Sequence, residues 1–339
     1  MGIFGISQTI FQVPIGIMSD RWGRKQMTMA GLAVYFIGTV LSGLCTDIYQ
    51  LIAARFIAGA GAVSGVTLAW LTDGISLGNR NRALSYVGMS IGFAVIAGFS
   101  ISPVVAGSLG VSFLFYICAA LTVVSGIYAA LFLENNDPSL AAMFDEEYHL
   151  EKAGIAAVFR DGDLIRINIA GLVGSACLSG MFFVLPILIN RRIDLDRMWV
   201  IYLPMAVIGT ALMFFFSKKA DVIGPVRVAA IGFGFEMAGV AAAMISEGLV
   251  FLFTAFVLFY AGNCIISPVL PAAASKYPSN RQKGTIMSML NSSQFIGSGI
   301  GGLIGGLMLR HSSGLFFAMM IILLLAAQSA IIGFRNYER

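Results

Sequence analysis

The chain has 339 residues, of which 58% are hydrophobic and 11% are charged, and its mean hydropathy is +0.88. A soluble domain usually carries about 25% charged residues, so the composition excludes a soluble protein and indicates one that crosses a membrane several times. The net charge of +4 is too small and too scattered among loops to indicate a nucleic-acid partner.

Nothing in the sequence points to a metal, a cofactor or an enzyme. The four cysteines lie within or at the edge of apolar runs without the CxxC spacing of a metal site; they are Cys45, Cys118, Cys177 and Cys264. We interpret them as small packing residues and expect no disulfide, no zinc and no cofactor. Because no nucleotide-binding loop or hydrolase motif is present, we expect neither an ATP-driven pump nor a catalytic site.

The apolar runs predict an all-α membrane protein. A bilayer core of roughly 30 Å requires about 20 apolar residues in a helix, because unpaired backbone groups cannot be left in lipid. By this rule the sequence predicts eleven spans, at residues 2–18, 27–45, 49–71, 84–106, 111–133, 166–189, 198–217, 227–245, 249–271, 284–309 and 314–333.

A polar connector at residues 134–165 divides these spans into two helical bundles, residues 1–133 with five spans and 166–339 with six. Asp137-Pro138 predicts a helix start within it, since proline suits the first helical position. The loops fix the orientation: sixteen Lys and Arg residues lie on the side of the connector and four on the other. This bias predicts a cytoplasmic connector and C-terminus.

An internal repeat supports the two bundles. Asp20 and Gly23 follow the first span as Asp221 and Gly224 follow the seventh, and both pairs are 201 residues apart. Transporters built from two homologous halves place their substrate site near the midplane between the halves. The sequence therefore favours a secondary transporter.

The segment Gly16–Lys25 reads Gly-Ile-Met-Ser-Asp-Arg-Trp-Gly-Arg-Lys between two apolar runs, and we predict that it forms a tight charged loop. An ordinary positive-inside loop would explain its basic residues but neither its acid nor its glycines. The segment resembles the cytoplasmic signature of the major facilitator superfamily. The positions that carry this resemblance are Gly16, Asp20, Arg21, Gly23, Arg24 and Lys25.

This resemblance implies the major facilitator fold and a cytoplasmic gate. In the family an acidic residue at the position of Asp73 joins the acid and the second arginine of the signature, here Asp20 and Arg24. Such charge-assisted bonds are strong enough to bias two conformations and still break during transport. The alternative is that Asp73 is an ordinary carboxylate at a helix end.

Arg55 lies about two turns inside the third span, in the sequence Arg55-Phe-Ile-Ala-Gly59-Ala-Gly61. The segment resembles the family pattern R-x-x-x-G-x-G, whose arginine is linked to proton transfer in proton-coupled members. The alternative is that the side chain snorkels to the outer headgroups. Because its repeat position is Phe256, the scaffold itself does not require an arginine here.

Gly98, Pro103 and Gly107 resemble the Gly- and Pro-rich helix of drug–proton antiporters in the same superfamily. The match is partial, because serine precedes the proline and one glycine is replaced by alanine. Small residues also promote close packing of any two membrane helices, and this alternative stays open.

The polar residues on the helices expected to line the cavity are few, which predicts a mostly apolar cavity for a hydrophobic or amphipathic solute. They include Trp70, Asn168, Tyr260, Asn263, Asn291 and Gln294. Each of them has the alternative of bonding a neighbouring helix.

Glu236 is the only acid in the middle of a span. We expect it to be protonated or bonded between helices, with a coupling role as the less favoured alternative.

The repeat offset places the counterpart of the sixth span before Met1. We therefore expect the first helix of the fold to be absent from this sequence, and about 35 further residues would be enough to hold it. Either the protein begins upstream, or the product is truncated and inactive.

The resemblance covers nearly the whole chain and is strongest to bacterial drug–proton antiporters of the YajR type. We therefore expect a monomeric, multi-pass inner-membrane transporter that exports a small hydrophobic compound in exchange for protons by alternating access. The first rival is a facilitator or symporter for a sugar or metabolite. The second is a membrane protein that transports nothing and acts as a sensor or partner subunit.

Overall fold

The computed structural model describes residues 2–61, 63–73, 80–133, 161–275 and 283–333 of the chain. These residues are almost entirely helical and fall into two compact units, one before and one after residues 134–160. The predicted all-α membrane fold is confirmed, whereas the predicted number of eleven spans is not. Among the described helices, eight are long and apolar enough to cross a membrane.

Six helices make up the described part of the first unit. They are α1 (Gly2–Trp22), α2 (Arg24–Leu44), α3 (Ile48–Ala60), α4 (Ser64–Asp73), α5 (Arg80–Leu109) and α6 (Val111–Phe132). Helix α2 is central, because it packs against α3, α4 and α6, and α5 packs against α6.

The second unit contains six more helices and a short 3-10 turn at Leu195–Arg197. The helices are α7 (Gly162–Asn190), α8 (Trp199–Ile223), α9 (Pro225–Ile245), α10 (Leu249–Ser275), α11 (Lys283–Leu309) and α12 (Ser313–Ile332). Helix α7 packs against α11 and α12, and α10 packs against α8 and α9.

The outward faces of the helices are apolar. On α6, Leu121, Val124, Leu131 and Phe132 are all more than half exposed. Soluble monomers rarely expose contiguous apolar surface of this extent, whereas lipid-facing helices do so as a rule. The burial pattern thus agrees with a chain whose helices are surrounded by hydrocarbon.

The segment Gly16–Lys25 is not the loop that the sequence predicts. Helix α1 continues through Asp20 to Trp22, and α2 begins at Arg24, so Gly23 alone turns the chain. Its φ of 96° and ψ of 143° lie where glycine is favoured. The prediction failed because an apolar run marks the part of a helix inside hydrocarbon, while the helix itself can extend into the polar headgroup region.

Two other predicted boundaries also change. The third span, predicted as continuous, is divided into α3, which ends at Ala60, and α4, which starts at Ser64. Glycines at 59, 61 and 65 weaken the helix here because each lacks a side chain that restricts the backbone.

Helix α7 starts at Gly162, four residues before its predicted start, since Asp161 caps it by accepting bonds from the Asp163 and Leu164 amides. The predicted helix start at Asp137-Pro138 lies outside the described residues.

The repeat has a structural counterpart in the two units. Gly224 turns the chain between α8 and α9 with φ 94° and ψ 144°, within two degrees of the values at Gly23. Helices α2 and α9 begin and end at positions that differ by 201 residues. The two units therefore use the same local design at this turn.

Candidate functional site

Arg24 is held against the end of α1. Its Nη1 donates a hydrogen bond of 2.6 Å to Ser19 Oγ, and that hydroxyl donates to the Gly16 carbonyl oxygen at 2.6 Å. Ser19 is almost fully buried, so the guanidinium is anchored at the packed end of the helix. The side chains of Asp20, Arg21 and Asp73 lie outside the described residues, and the predicted gate network therefore stays a prediction.

Lys25 binds the C-terminal end of α6. Its Nζ donates to the carbonyl oxygens of Ala130 at 2.8 Å and Leu133 at 2.6 Å. The last carbonyls of a helix have no partner within that helix, and they lie at the negative end of its dipole. Lys25 satisfies two of them and ties the signature segment to the helix that precedes residues 134–160. Sequence reasoning missed this contact because the partners are more than a hundred residues apart.

Arg55 lies among aromatic rings within the first unit. Its guanidinium carbon is 4.5 Å from the centre of the Phe4 ring and 5.7 Å from that of Phe115. A desolvated cation over a ring face is stabilised by about 2 kcal/mol. The side chains of Tyr35 and Cys118 act on Arg55 electrostatically, and no carboxylate of the described part forms an ion pair with it.

Gly59 explains how α1 approaches the arginine. A Cβ at Gly59 would lie 2.5 Å from the Phe4 carbonyl oxygen and 2.9 Å from the Ser7 Cβ. Ser7 also donates a hydrogen bond of 2.6 Å to the Phe56 carbonyl oxygen of α3. Because residues four apart share one face of a helix, Gly59 brings α1 close at the place where Arg55 meets Phe4. The R-x-x-x-G spacing therefore has a packing role as well.

Gly98, Pro103 and Gly107 lie on α5. Pro103 lies within the helix and is buried, and the Ser102 hydroxyl donates to the Gly98 carbonyl oxygen. Proline inside a membrane helix is tolerated when neighbouring groups satisfy the freed backbone. A Cβ at Gly98 would meet no described atom within 4 Å, so close helix packing does not account for this glycine among the described residues.

On α11 the glycines behave differently. A Cβ at Gly297 would overlap the Leu172 carbonyl of α7, and one at Gly301 would overlap that of Ala176. These two glycines allow α7 and α11 to pack closely, and this packing is sufficient to explain them.

Asn168 connects α7 to α11 within the second unit. Its Nδ2 donates to the Leu164 carbonyl oxygen at 2.8 Å, and its Oδ1 accepts from Ser293 Oγ at 2.9 Å. Asn168 is buried, so this is the interhelical bond that the sequence left open as an alternative to cavity lining. Ser293 was not predicted, although it lies next to the predicted Gln294.

The other predicted cavity residues differ in exposure. Trp70 and Tyr260 are buried in their own units, and Tyr260 contacts the Phe182 ring at 5.8 Å. Asn263 and Gln294 are half-buried, and Asn291 is exposed. Their assignment to a shared cavity stays a prediction.

Glu236 is fully buried on α9. Neither of its carboxyl oxygens accepts a well-formed hydrogen bond from the described residues, although the Asn263 side chain lies beside it on α10. Glu236 is thus enclosed by protein and does not face the lipid.

Comparison with known proteins decides the family. The sequence profile described as Major Facilitator Superfamily matches residues 1–221. The chain belongs to the major facilitator superfamily. It is 28% identical to the inner membrane transport protein YajR of Escherichia coli over 310 residues, which cover 90% of this chain and 67% of that protein. It is 24% identical to the class G tetracycline resistance protein of Vibrio anguillarum, over 88% of this chain and 77% of that protein.

The fold is also that of a solved structure. The human organic anion transporter MFSD10 (TETRAN) superposes with a TM-score of 0.73 at 18% identity, over 97% of this chain and 82% of the other. Membership of the superfamily makes the chain a transporter rather than an enzyme, as the sequence predicts. It is a multi-pass membrane protein that carries small molecules.

Proposed function

We propose that this transporter exports a small hydrophobic or amphipathic compound in exchange for protons by alternating access. The observation that supports it most is the setting of Arg55, a cation inside the membrane part of the first unit with its guanidinium between two aromatic rings. A cation in that place costs free energy, because a charge in hydrocarbon loses its hydration. A buried cation within a membrane helix therefore indicates a functional site. The likeness to a tetracycline resistance protein adds support for an exported drug-like substrate.

Arg55 would act by holding a negative charge that appears and disappears during transport. In the described residues no carboxylate compensates it, so it is available to a substrate anion or to an acid that releases its proton. The half-buried Gln294 would orient the solute in a cavity that is otherwise apolar.

We further propose that the protein is a monomer in the inner membrane with its C-terminus in the cytoplasm. The support is the excess of Lys and Arg residues on one set of loops and the likeness to an inner membrane protein. A reporter enzyme fused after Arg339 that is active only in the cytoplasm tests the orientation.

Everted membrane vesicles that contain the protein test the function. An imposed proton gradient should drive uptake of tetracycline or ethidium into the vesicles, and an ionophore that exchanges protons for potassium should abolish it. Vesicles with Arg55→Ala serve as the matched comparison. Sugar uptake that ignores the proton gradient would favour the facilitator. No flux of any compound across a broad panel would favour the sensor or partner subunit.

A further inference from the structure

Among the described residues of the second unit, no cation compensates the carboxyl group of Glu236. The side chain is fully buried, and both oxygens lack a well-formed bond to any described donor. Burying an uncompensated carboxylate costs more free energy than a folded domain has in reserve, and such a group takes up a proton instead. Geometry alone therefore favours the neutral acid.

The crossing of α9 and α10 is tight at the backbone and the stem of Glu236. A Cβ at Gly262 would lie 2.7 Å from the Glu236 nitrogen and 2.8 Å from its Cγ. One turn further along α9, a Cβ at Gly239 would lie 2.6 Å from the Phe259 nitrogen. The stem of Glu236 is therefore held against α10, and a water that hydrated the carboxyl group would need space and several polar partners beside it.

The groups that face Glu236 do not supply a positive charge. From α10 these are the Asn263 amide and the Cys264 thiol, and from α7 the Cys177 thiol. The Cys264 thiol also pairs with the Tyr260 hydroxyl. Among the described residues of α8 and α12, no titratable group acts on Glu236. A carboxylate would repel any thiolate formed here, whereas a neutral acid fits beside neutral thiols and an amide.

The first unit shows what this position accommodates. Tyr35 precedes Glu236 by 201 residues, and a Cβ at Gly61 would lie 2.7 Å from the Tyr35 nitrogen, as one at Gly262 does from that of Glu236. The same close crossing thus carries a neutral hydroxyl in one unit and a carboxyl in the other. A protonated carboxyl matches the hydroxyl in charge and in its single O–H donor.

We propose that Glu236 is a buried proton-binding site that keeps its proton throughout transport. The protonated carboxyl group donates a hydrogen bond to the Asn263 amide oxygen and so links α9 to α10. The proton is bound for structural reasons and is separate from any proton that drives transport. The inference does not depend on the proposed function, because it concerns the interior of the second unit alone.

Infrared spectroscopy of the purified protein in lipid nanodiscs tests this site. The carbonyl stretch of a carboxylic acid should persist from mildly acidic to mildly alkaline pH and should disappear in Glu236→Gln. Glu247→Gln is the matched control, since Glu247 is half-buried and accepts a bond of 2.9 Å from Ser313, and it should leave the persistent band unchanged. In Asn263→Leu the band should move to the frequency of an acid without a hydrogen-bond acceptor.

A persistent band that survives in Glu236→Gln would overturn the proposal, as would loss of the acid band of Glu236 on raising the pH over this range. If Glu236→Gln does not fold, Glu236→Asp replaces it, because a shortened acid should shift the band and weaken its bond to Asn263. A band that is the same in Glu236→Asp and in the parent would then refute the assignment.

Discussion

The two units contain the same helix crossing but place different chemistry on it. In the first unit Gly31 and Gly61 bring α2 against the end of α3, and in the second Gly232 and Gly262 bring α9 against α10. Each glycine of one pair lies 201 residues from its counterpart in the other. The close contact is thus set by glycines that repeat.

The ionisable side chains near the crossing do not repeat. Arg55 of the first unit corresponds to Phe256, whose ring packs at 4.9 Å from Phe182 and 5.5 Å from Tyr202. Glu236 of the second unit corresponds to Tyr35. In each unit an aromatic side chain is enough for the fold at the position where the other unit carries an ionisable group. The comparison teaches that the glycines specify the scaffold and that Arg55 and Glu236 are additions to it.

Replacing Arg55 should have the largest effect on transport. Arg55→Ala should lower proton-driven flux by at least about tenfold, or about 1.4 kcal/mol in the transport barrier, because it removes the cation that we propose holds the transient negative charge. Arg55→Lys should retain part of the flux, because it keeps the charge without the planar guanidinium. Initial rates in everted vesicles measure both.

Arg227→Ala is the matched control, because Arg227 is an exposed arginine on α9. Its flux should stay within about twofold of the parent, a difference of about 0.4 kcal/mol. Parental flux in Arg55→Ala would mean that the first unit tolerates an uncharged side chain at this position as the second does, and the functional contrast between the units would be lost.

The signature segment offers the next contrast, because Ser19 and Arg24 correspond to Ala220 and Pro225 in the second unit, whereas Asp20 recurs as Asp221. Asp20→Asn or Arg24→Ala should reduce transport several-fold while the protein stays folded, and cysteine labelling should find the cytoplasmic vestibule open more often. Ser19→Ala removes the hydroxyl that Arg24 contacts at 2.6 Å and should cost less. Equal losses in Ser19→Ala and Asp20→Asn would assign the role of Arg24 to the end of α1 rather than to a gate.

Much of this fold is predictable from the sequence. Apolar runs locate the helices, because only a hydrogen-bonded helix of sufficient length is stable in hydrocarbon. The repeat offset relates the two units, and it could also have pointed to the glycine crossings, since Gly31 and Gly61 recur as Gly232 and Gly262.

The contacts of individual side chains were not predictable. Lys25 binds carbonyls of α6, and Ser293 bonds Asn168 across 125 residues, and neither pair has a local sequence pattern. Such contacts depend on the rotation and depth of one helix against another, which hydrophobic runs do not determine. The sequence also did not predict that Asp20 lies within α1. A charged residue at the end of an apolar run is compatible both with a loop and with a helix that extends into the headgroup region.

The glycine crossings should be equally sensitive in the two units. Gly38→Val and Gly239→Val should each destabilise the protein by about 1–3 kcal/mol, because a Cβ at either glycine would overlap the backbone of the facing helix. Thermal unfolding in detergent measures the change. Gly234→Val is the control, because a Cβ there meets no described atom within 4 Å, and it should have little effect. A loss confined to one unit would show that the repeated glycines do not carry equal weight.

The smallest effect should come from Lys25, which has no basic counterpart in the second unit, where Val226 occupies its repeat position. Lys25→Gln removes a charge from the C-terminal end of α6, and because these bonds are exposed, we expect a loss of only about 0.3–1 kcal/mol. The loss should shrink in high salt, which screens a surface charge. Lys218→Gln, at an exposed lysine of α8, is the matched control. A shift in melting temperature for Lys25→Gln but not Lys218→Gln would establish the cap. Equal shifts would show that the loss comes from removing any surface charge and not from the cap on α6.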